Sequence, residues 1–364
     1  MPLRIGIVGM PNVGKSTLFN ALTKTKGAAA ANYPFCTIDP NVGIVEVPDD
    51  RLKKLVELVH PKKLIPATVE FVDIAGLVKG ASKGEGLGNA FLSHIREVDA
   101  ICHVVRVFEG GDVIHVEGTV DPVRDRETIE TELALSDLAT MAKRIEKVEG
   151  KARTGDKQGA LELAALRKIE TALQAGKPAS SVTLLPEEQE FARHFQLLTQ
   201  KPVIFAVNAS EEQVKSLPPS EAKKKLTLPE NTDVVVICAK IEEDLQELSA
   251  EEQQEFMKEL KIEASGLDLL IRAAYHALGY LTFFTAGPDE VRAWTVTRGA
   301  KAPEAAGVIH TDFQKGFICA ETIAFTDFVA AGSEAKAKEQ GKMRLEGKEY
   351  VVKDGDMFNF RFNV

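Results

Sequence analysis

The stretch Gly9-Met10-Pro11-Asn12-Val13-Gly14-Lys15-Ser16-Thr17 constrains this chain more than any other part of it. It fits G-x-x-x-x-G-K-[ST], follows a short apolar run over 4–8 and opens a helix-like segment over 16–24. That strand, loop and helix context is the one in which the motif cradles phosphates. The glycines at 9 and 14 let the loop through Pro11 turn so that backbone N–H groups of Asn12, Val13 and their non-proline neighbours close around an anion, and the helix N-terminus, with Ser16 and Thr17, adds positive potential. Lys15 is then the candidate catalytic cation at the β and γ oxygens, and Ser16 a candidate Mg²⁺ ligand.

Short β-branched runs recur at 68–73, 100–107, 202–208 and 233–238, separated by helix-length stretches. Such runs suit buried parallel strands, so the expected fold class is α/β, a doubly wound P-loop sheet with ligands at the carboxyl ends of its strands. Between 122 and 200 the strand pattern stops. Leu135, Leu138, Met141, Ile145 and Val148, then Leu163, Leu166, Ile169 and Leu173, fall at helical spacing around a turn at Thr154-Gly155-Asp156. The economical model is an antiparallel two-helix arm with legs of roughly 40 Å. A late amphipathic helix at 266–279 precedes alternating strands at 291–297, 317–323 and 357–362. The expected domains are therefore 1–122 with 201–280 for the nucleotide, 123–200 for the arm, and a small α+β domain at 281–364.

Asp73, in Phe71-Val72-Asp73-Ile74-Ala75-Gly76, ends a strand and stands three residues before a glycine. One strand after a phosphate loop, this D-x-x-G places Asp73 on the metal and the Gly76 N–H near the γ-phosphate. Thr37 lies where a first switch threonine would complete the Mg²⁺ shell. Leu77 occupies the position where Ras-like enzymes carry the glutamine that orients water, so turnover is expected to be slow and to need another group. His115, after a glycine-bearing loop, is the candidate. His94, closer in sequence, falls in a helical stretch and reads as structural. Asn12 offers an oxygen beside the phosphates, where K⁺-dependent relatives of Ras hold a monovalent cation.

Asn208-Ala209-Ser210-Glu211 stands where GTPases carry N-K-x-D, and Cys238-Ala239-Lys240 resembles the S-A-K loop that flanks the base. Glu211 keeps the carboxylate but is one methylene longer than aspartate. Asn208, Glu211, Cys238 and Ala239 are thus the candidate base contacts, with ATP and GTP both open.

The net charge of −9 argues against a phosphate-rich partner only as an average. Residues 201–279 carry 9 basic against 15 acidic groups, while 143–168 carries eight basic against four acidic, which marks the arm as the place for RNA contacts. No apolar run reaches the ~18 residues of a membrane span, the N-terminus lacks a signal-peptide pattern, and four scattered cysteines make no C-x-x-C pair. A cytoplasmic location is expected.

Taken with Lys83-Gly84-Glu85-Gly86-Leu87-Gly88 and Ile309-His310-Thr311-Asp312-Phe313-Gln314-Lys315-Gly316-Phe317, these motifs resemble the YchF, or Obg-like ATPase, family over essentially the whole chain. The resemblance implies a G domain with an inserted coiled-coil arm, a C-terminal TGS domain of β-grasp type, preference for ATP, stimulation by K⁺ and participation of His115 in hydrolysis. It also implies a monomeric switch that binds the ribosome (large subunit or 70S) through arm and TGS domain, with ribosomal RNA as a contact and no membrane partner. The competing readings are a GTPase translation factor of the same build and a nucleotide-binding scaffold with negligible turnover.

Overall fold

The computed structural model describes residues 4–24, 41–74, 87–109, 119–260, 262 and 264–363. In chain order the elements are β1 (Arg4–Val8), α1 (Lys15–Lys24), β2 (Val42–Glu46), α2 (Asp50–Val59), β3 (Lys63–Ile65), β4 (Thr68–Asp73), α3 (Leu87–Glu97) and β5 (Ala100–Arg106). The helical stretch follows as α4 (Pro122–Arg153), α5 (Lys157–Gln174) and α6 (Pro186–Arg193), then β6 (Val203–Asn208), α7 (Pro219–Lys225), β7 (Asp233–Ile237), α8 (Ala239–Leu245), α9 (Ala250–Leu260) and α10 (Gly266–Ala277). The chain ends in β8 (Tyr280–Ala286), β9 (Glu290–Thr297), α11 (Ala302–Ile309), α12 (Thr311–Lys315), β10 (Phe317–Ala324), α13 (Phe325–Ala331), α14 (Glu334–Glu339), β11 (Arg344–Glu346) and β12 (Asp356–Phe362). These elements divide into two compact units, residues 1–44 with 70–270 and residues 45–69 with 271–364.

The first unit is built on a sheet of order β2-β4-β1-β5-β6-β7, in which β4, β1, β5, β6 and β7 run parallel. Every residue of β5 is buried, as a central strand with covered faces requires, and the run Ala100-Ile101-Cys102-His103-Val104-Val105-Arg106 satisfies this with β-branched side chains. His103 is the exception in chemistry. It stacks on Phe205 with ring centroids 5.1 Å apart, and burial, reinforced by Arg126 and Lys15, pushes its pKa down to about 3. The folded protein thus binds this proton more weakly than the unfolded chain. Its contribution to stability is complete above pH 6.5 and is lost as pH falls toward 3. Wild type should lose about 1.4 kcal/mol per pH unit through that window beyond the loss in His103→Leu, measured by urea unfolding at several pH values. Parallel pH profiles would show that His103 is not the titrating group.

The arm departs from two equal legs. Asp121 caps α4 by accepting from the Val123 and Arg124 N–H groups, with Pro122 in the first turn. Helix α4 runs 32 residues, about 48 Å. Gly155, at φ 88°, makes the reversal, and Asp156 caps α5 through the Gln158 N–H. Helix α5 has only 18 residues, about 27 Å, because Gly176 at φ 73° ends it and Pro178 forbids its continuation. Met141, Ile145 and Val148 pack against Ala165, Leu166, Ile169 and Leu173 as the seam. Leu135, expected in that seam, is 43% exposed, because the root of α4 buries Ile129, Leu133 and Asp137 instead. Asp137 accepts from Leu198 N–H, Thr199 N–H and the Thr199 hydroxyl, which ties the root of the arm to the chain returning to β6.

The second unit carries a mixed sheet of order β11-β10-β12-β8-β9-β3. Phe283, fully buried, meets Phe358, Phe360 and Trp294 at its centre, under α11. The sequence reading assigns 45–69 to the nucleotide-binding part. Here β3 instead adds in parallel to β9, and α2 joins the same unit. Arg51 on α2 fastens it, donating to Asp49 and, at 2.7 Å, to Asp354, with its guanidinium 4.9 Å from the Phe284 ring centre.

Candidate active site

The phosphate loop joins β1 to α1 at the carboxyl edge of the first sheet. Gly9 is required there because a Cβ would lie 2.5 Å from the Val104 carbonyl oxygen on β5. Asn12 and Gly14 turn the loop with φ of 65° and 100°, and a side chain at 14 would run into the Asn208 amide nitrogen. Lys15 opens α1 and is only 8% exposed, with its ammonium donating to the Met10 carbonyl at 2.8 Å. Burial lowers its pKa to about 8, and the carboxylate of Asp73 opposes that shift. It therefore remains a cation at neutral pH. Asp73 is pushed up by burial and held back by Lys15.

Asp73 Oδ1 is buried and has no hydrogen-bond partner among the described residues. A carboxylate oxygen left in that state, on a group that interacts with Lys15 and so with the loop that carries the exposed Ser16, is the donor chemistry that Mg²⁺ takes, so Ser16 and Asp73 fit the metal. When bound, the ion supplies charge neutralisation at the phosphate oxygens.

Asn208 is 6% exposed and braces the site. Its amide donates to the Val13 carbonyl at 2.9 Å and its oxygen accepts from the Ala239 N–H at 3.1 Å, so one side chain locks the phosphate loop to the first residue of α8. Glu211 pairs with Lys240 at 3.2 Å, both well exposed. Asn12, Val13, Gly14, Lys15, Ser16, Thr17, Asn208, Glu211, Cys238 and Ala239 line one cleft of about 760 Å³. Gly9 and Pro11 belong to the loop but not to that lining. Thr37, Gly76 and His115 lie outside the described residues.

Arg106 in this cleft escaped the sequence reading. Arg106, 5% exposed, ends β5, donates to the Phe108 and Asn12 carbonyl oxygens at 3.1 and 3.4 Å, and sits 4.3 Å over the Phe108 ring. The signal for it is a cation at the carboxyl end of an otherwise apolar central strand, where α/β folds place their ligands.

With this geometry in place, the comparisons with known proteins are specific. A family model described as "50S ribosome-binding GTPase" matches residues 4–138, and the YchF-GTPase C-terminal family, described as a protein of unknown function, matches 280–363. The "Ribosome-binding ATPase YchF" of Bacillus subtilis is 58% identical over 367 aligned positions, and that of Escherichia coli O157:H7 is 54% identical over 364, each with 100% of both chains covered. The solved structure of a Schizosaccharomyces pombe YchF GTPase superimposes with a TM-score of 0.88 at 40% identity, covering 99% of this chain and 97% of that one. A GTP-binding protein from Pyrococcus horikoshii shares the fold, at TM-score 0.61 and 18% identity.

Proposed function

Since this chain belongs to the YchF family, we propose that it is a slow molecular switch that converts ATP to ADP and phosphate and reads out its nucleotide state on the ribosome. The chain is a P-loop nucleotide hydrolase and a ribosome-binding ATPase by kinship across its full length. The roles of Lys15, Ser16 and Asp73 draw on the geometry of the phosphate loop, and those of Thr37, Gly76 and His115 on their places in the sequence motifs and the family resemblance. Lys15 and the loop amides hold the β and γ phosphates, Ser16 and Asp73 hold Mg²⁺ with Thr37 as a further ligand, and the Gly76 N–H senses the γ-phosphate. His115 positions the attacking water, because Leu77 has no group that can do so. Asn12, already turned to positive φ, presents its oxygen to an activating K⁺.

The names of the relatives disagree about the base, ATPase in two bacteria and GTPase in the fission yeast structure. The observation that favours ATP is the Glu211–Lys240 pair. The carboxylate that would accept from guanine N1–H and N2–H₂ already faces the protein's own ammonium; both side chains are well exposed, so the pair contributes under about 1 kcal/mol, a small bias against guanine that adds to the ATPase name of the bacterial relatives. Within this reading, the domains are 1–122 with 201–280 for nucleotide, 123–200 as the coiled-coil arm, and 281–364 as a TGS domain, with the exception that 45–69 and 271–280 pack in the second unit. Arm and TGS domain face the ribosome, the protein acts as a monomer, and it works in the cytoplasm. No helix of the described residues is long and apolar enough to cross a membrane.

Competition binding tests the base. ATP should bind more tightly than GTP, and a GTP preference of tenfold or more, about 1.4 kcal/mol, would overturn the ATPase reading in favour of a GTPase of the same build. Pelleting with ribosomes in ATP and in ADP tests the partner, and equal failure to pellet in both states would remove it.

A further inference from the structure

Helices α3 and α4 of the first unit enclose a groove of about 810 Å³. On α4, Lys143, Lys147 and Lys151 repeat every four residues, so they form one stripe with steps of ~6 Å. Across from them, Asn89, Ser93 and Arg96 occupy one face of α3. The Arg96 guanidinium is fixed by the Ser136 and Thr140 hydroxyls at 3.2 and 3.4 Å. Most other cations of the arm are already spent. Arg144 is bound to Glu162, Arg153 and Arg167 to Glu149, and Lys168 to Glu188. The three groove lysines are exposed and have no ion-pair partner among the described residues. The one carboxylate in the groove, Glu162, is neutralised by Arg144 at 2.8 Å.

We propose that this groove holds a single strand of RNA, with successive phosphates along Lys143, Lys147 and Lys151 and with Arg96, Ser93 and Asn89 as the donors opposite. The inference rests on the ribosomal partner proposed above, and narrows the RNA contact from the basic stretch 143–168 to the face of α4 beside α3. The step between lysines is close to the separation of neighbouring phosphates on one strand. An acidic protein segment is the poorer fit, because the two large apolar residues in the lining, Leu92 and Val148, are 6% and 7% exposed and the third, Ala139, is too small to form an anchor pocket.

The test is anisotropy of a labelled oligouridylate of about twelve nucleotides with the full chain, read between about 50 and 200 mM salt. Changing Lys143, Lys147 and Lys151 together to Gln should weaken binding at least about tenfold and lower the salt slope by about 2, at ~0.7 per phosphate contact. A control in which Lys157, Lys177 and Arg193, exposed elsewhere on the helical segment, become Gln removes the same charge and should change both quantities far less. Equal losses in the two variants, or wild-type binding by the first, would overturn the proposal. So would a labelled oligoglutamate peptide that binds more tightly than the RNA and is lost in the groove variant, since that marks a protein site. Ribosome pelleting by the wild-type chain is read separately. Its failure removes the ribosome, while the oligonucleotide result still judges the groove.

Discussion

Lys15→Ala should reduce phosphate release to background, a loss of at least about 10³-fold or ~4 kcal/mol of transition-state stabilisation. The reason lies in how the ammonium is held. It is 8% exposed, fixed by the Met10 carbonyl at 2.8 Å and faced by Asp73, so its charge is already positioned when the γ-phosphoryl group begins to leave. A cation placed in advance in a water-poor site requires no reorganisation during the reaction, which makes its removal costly. The same burial lowers its pKa to about 8, so the free protein holds this charge at an energetic disadvantage. Loss of the side chain should therefore leave the fold at neutral pH nearly as stable as before, while ATP binds more weakly. Radiolabelled phosphate release and a thermal melt on the same preparation check both halves. Turnover above one tenth of wild type would remove Lys15 from the chemistry, and a melt lowered by many degrees would show that it serves the fold instead.

Much of this site was legible because its signals are local. The phosphate loop reads from nine consecutive residues, and the strands ending at Asp73, Arg106, Asn208 and Ile237 read from short apolar runs. The α4–α5 reversal at Thr154-Gly155-Asp156 is legible for the same reason. What the sequence hid depends on distance along the chain. Strand β3 pairs with β9 more than 200 residues away, a choice that no local pattern records. Leu135 has the spacing of the seam but lies on a part of α4 whose buried face follows Ile129, Leu133 and Asp137. The short α5 was in principle readable, since Gly176-Lys177-Pro178 is a helix stop. Arg106 gains its meaning only when β5 brings it beneath Asn12. Glu211 likewise looked like a weakened guanine reader until the structure paired it with Lys240.

Asn208→Ala should damage the protein before any base is bound. In GTPase-like motifs this asparagine is read as part of base recognition, yet here both ends of its amide are committed to the protein, one to the Val13 carbonyl and one to the Ala239 N–H. The residue is 6% exposed, so alanine leaves a backbone acceptor and a backbone donor without partners in a buried setting, at ~1–3 kcal/mol each. Gly14 packs directly against the same amide, so the phosphate loop loses its outer wall as well. The expected result is a fall in unfolding free energy of roughly 2–4 kcal/mol, with nucleotide affinity reduced at least about tenfold for ATP and GTP alike. Asn208→Asp gives the sharper variant, because it keeps the acceptor for Ala239 while setting a carboxylate against the Val13 carbonyl in place of a donor. It should fail nearly as badly. Urea unfolding of the free protein, followed by binding of both nucleotides, separates the two roles. If Asn208 acted only on the base, the free protein would be as stable as wild type and only the ratio of ATP to GTP affinity would change.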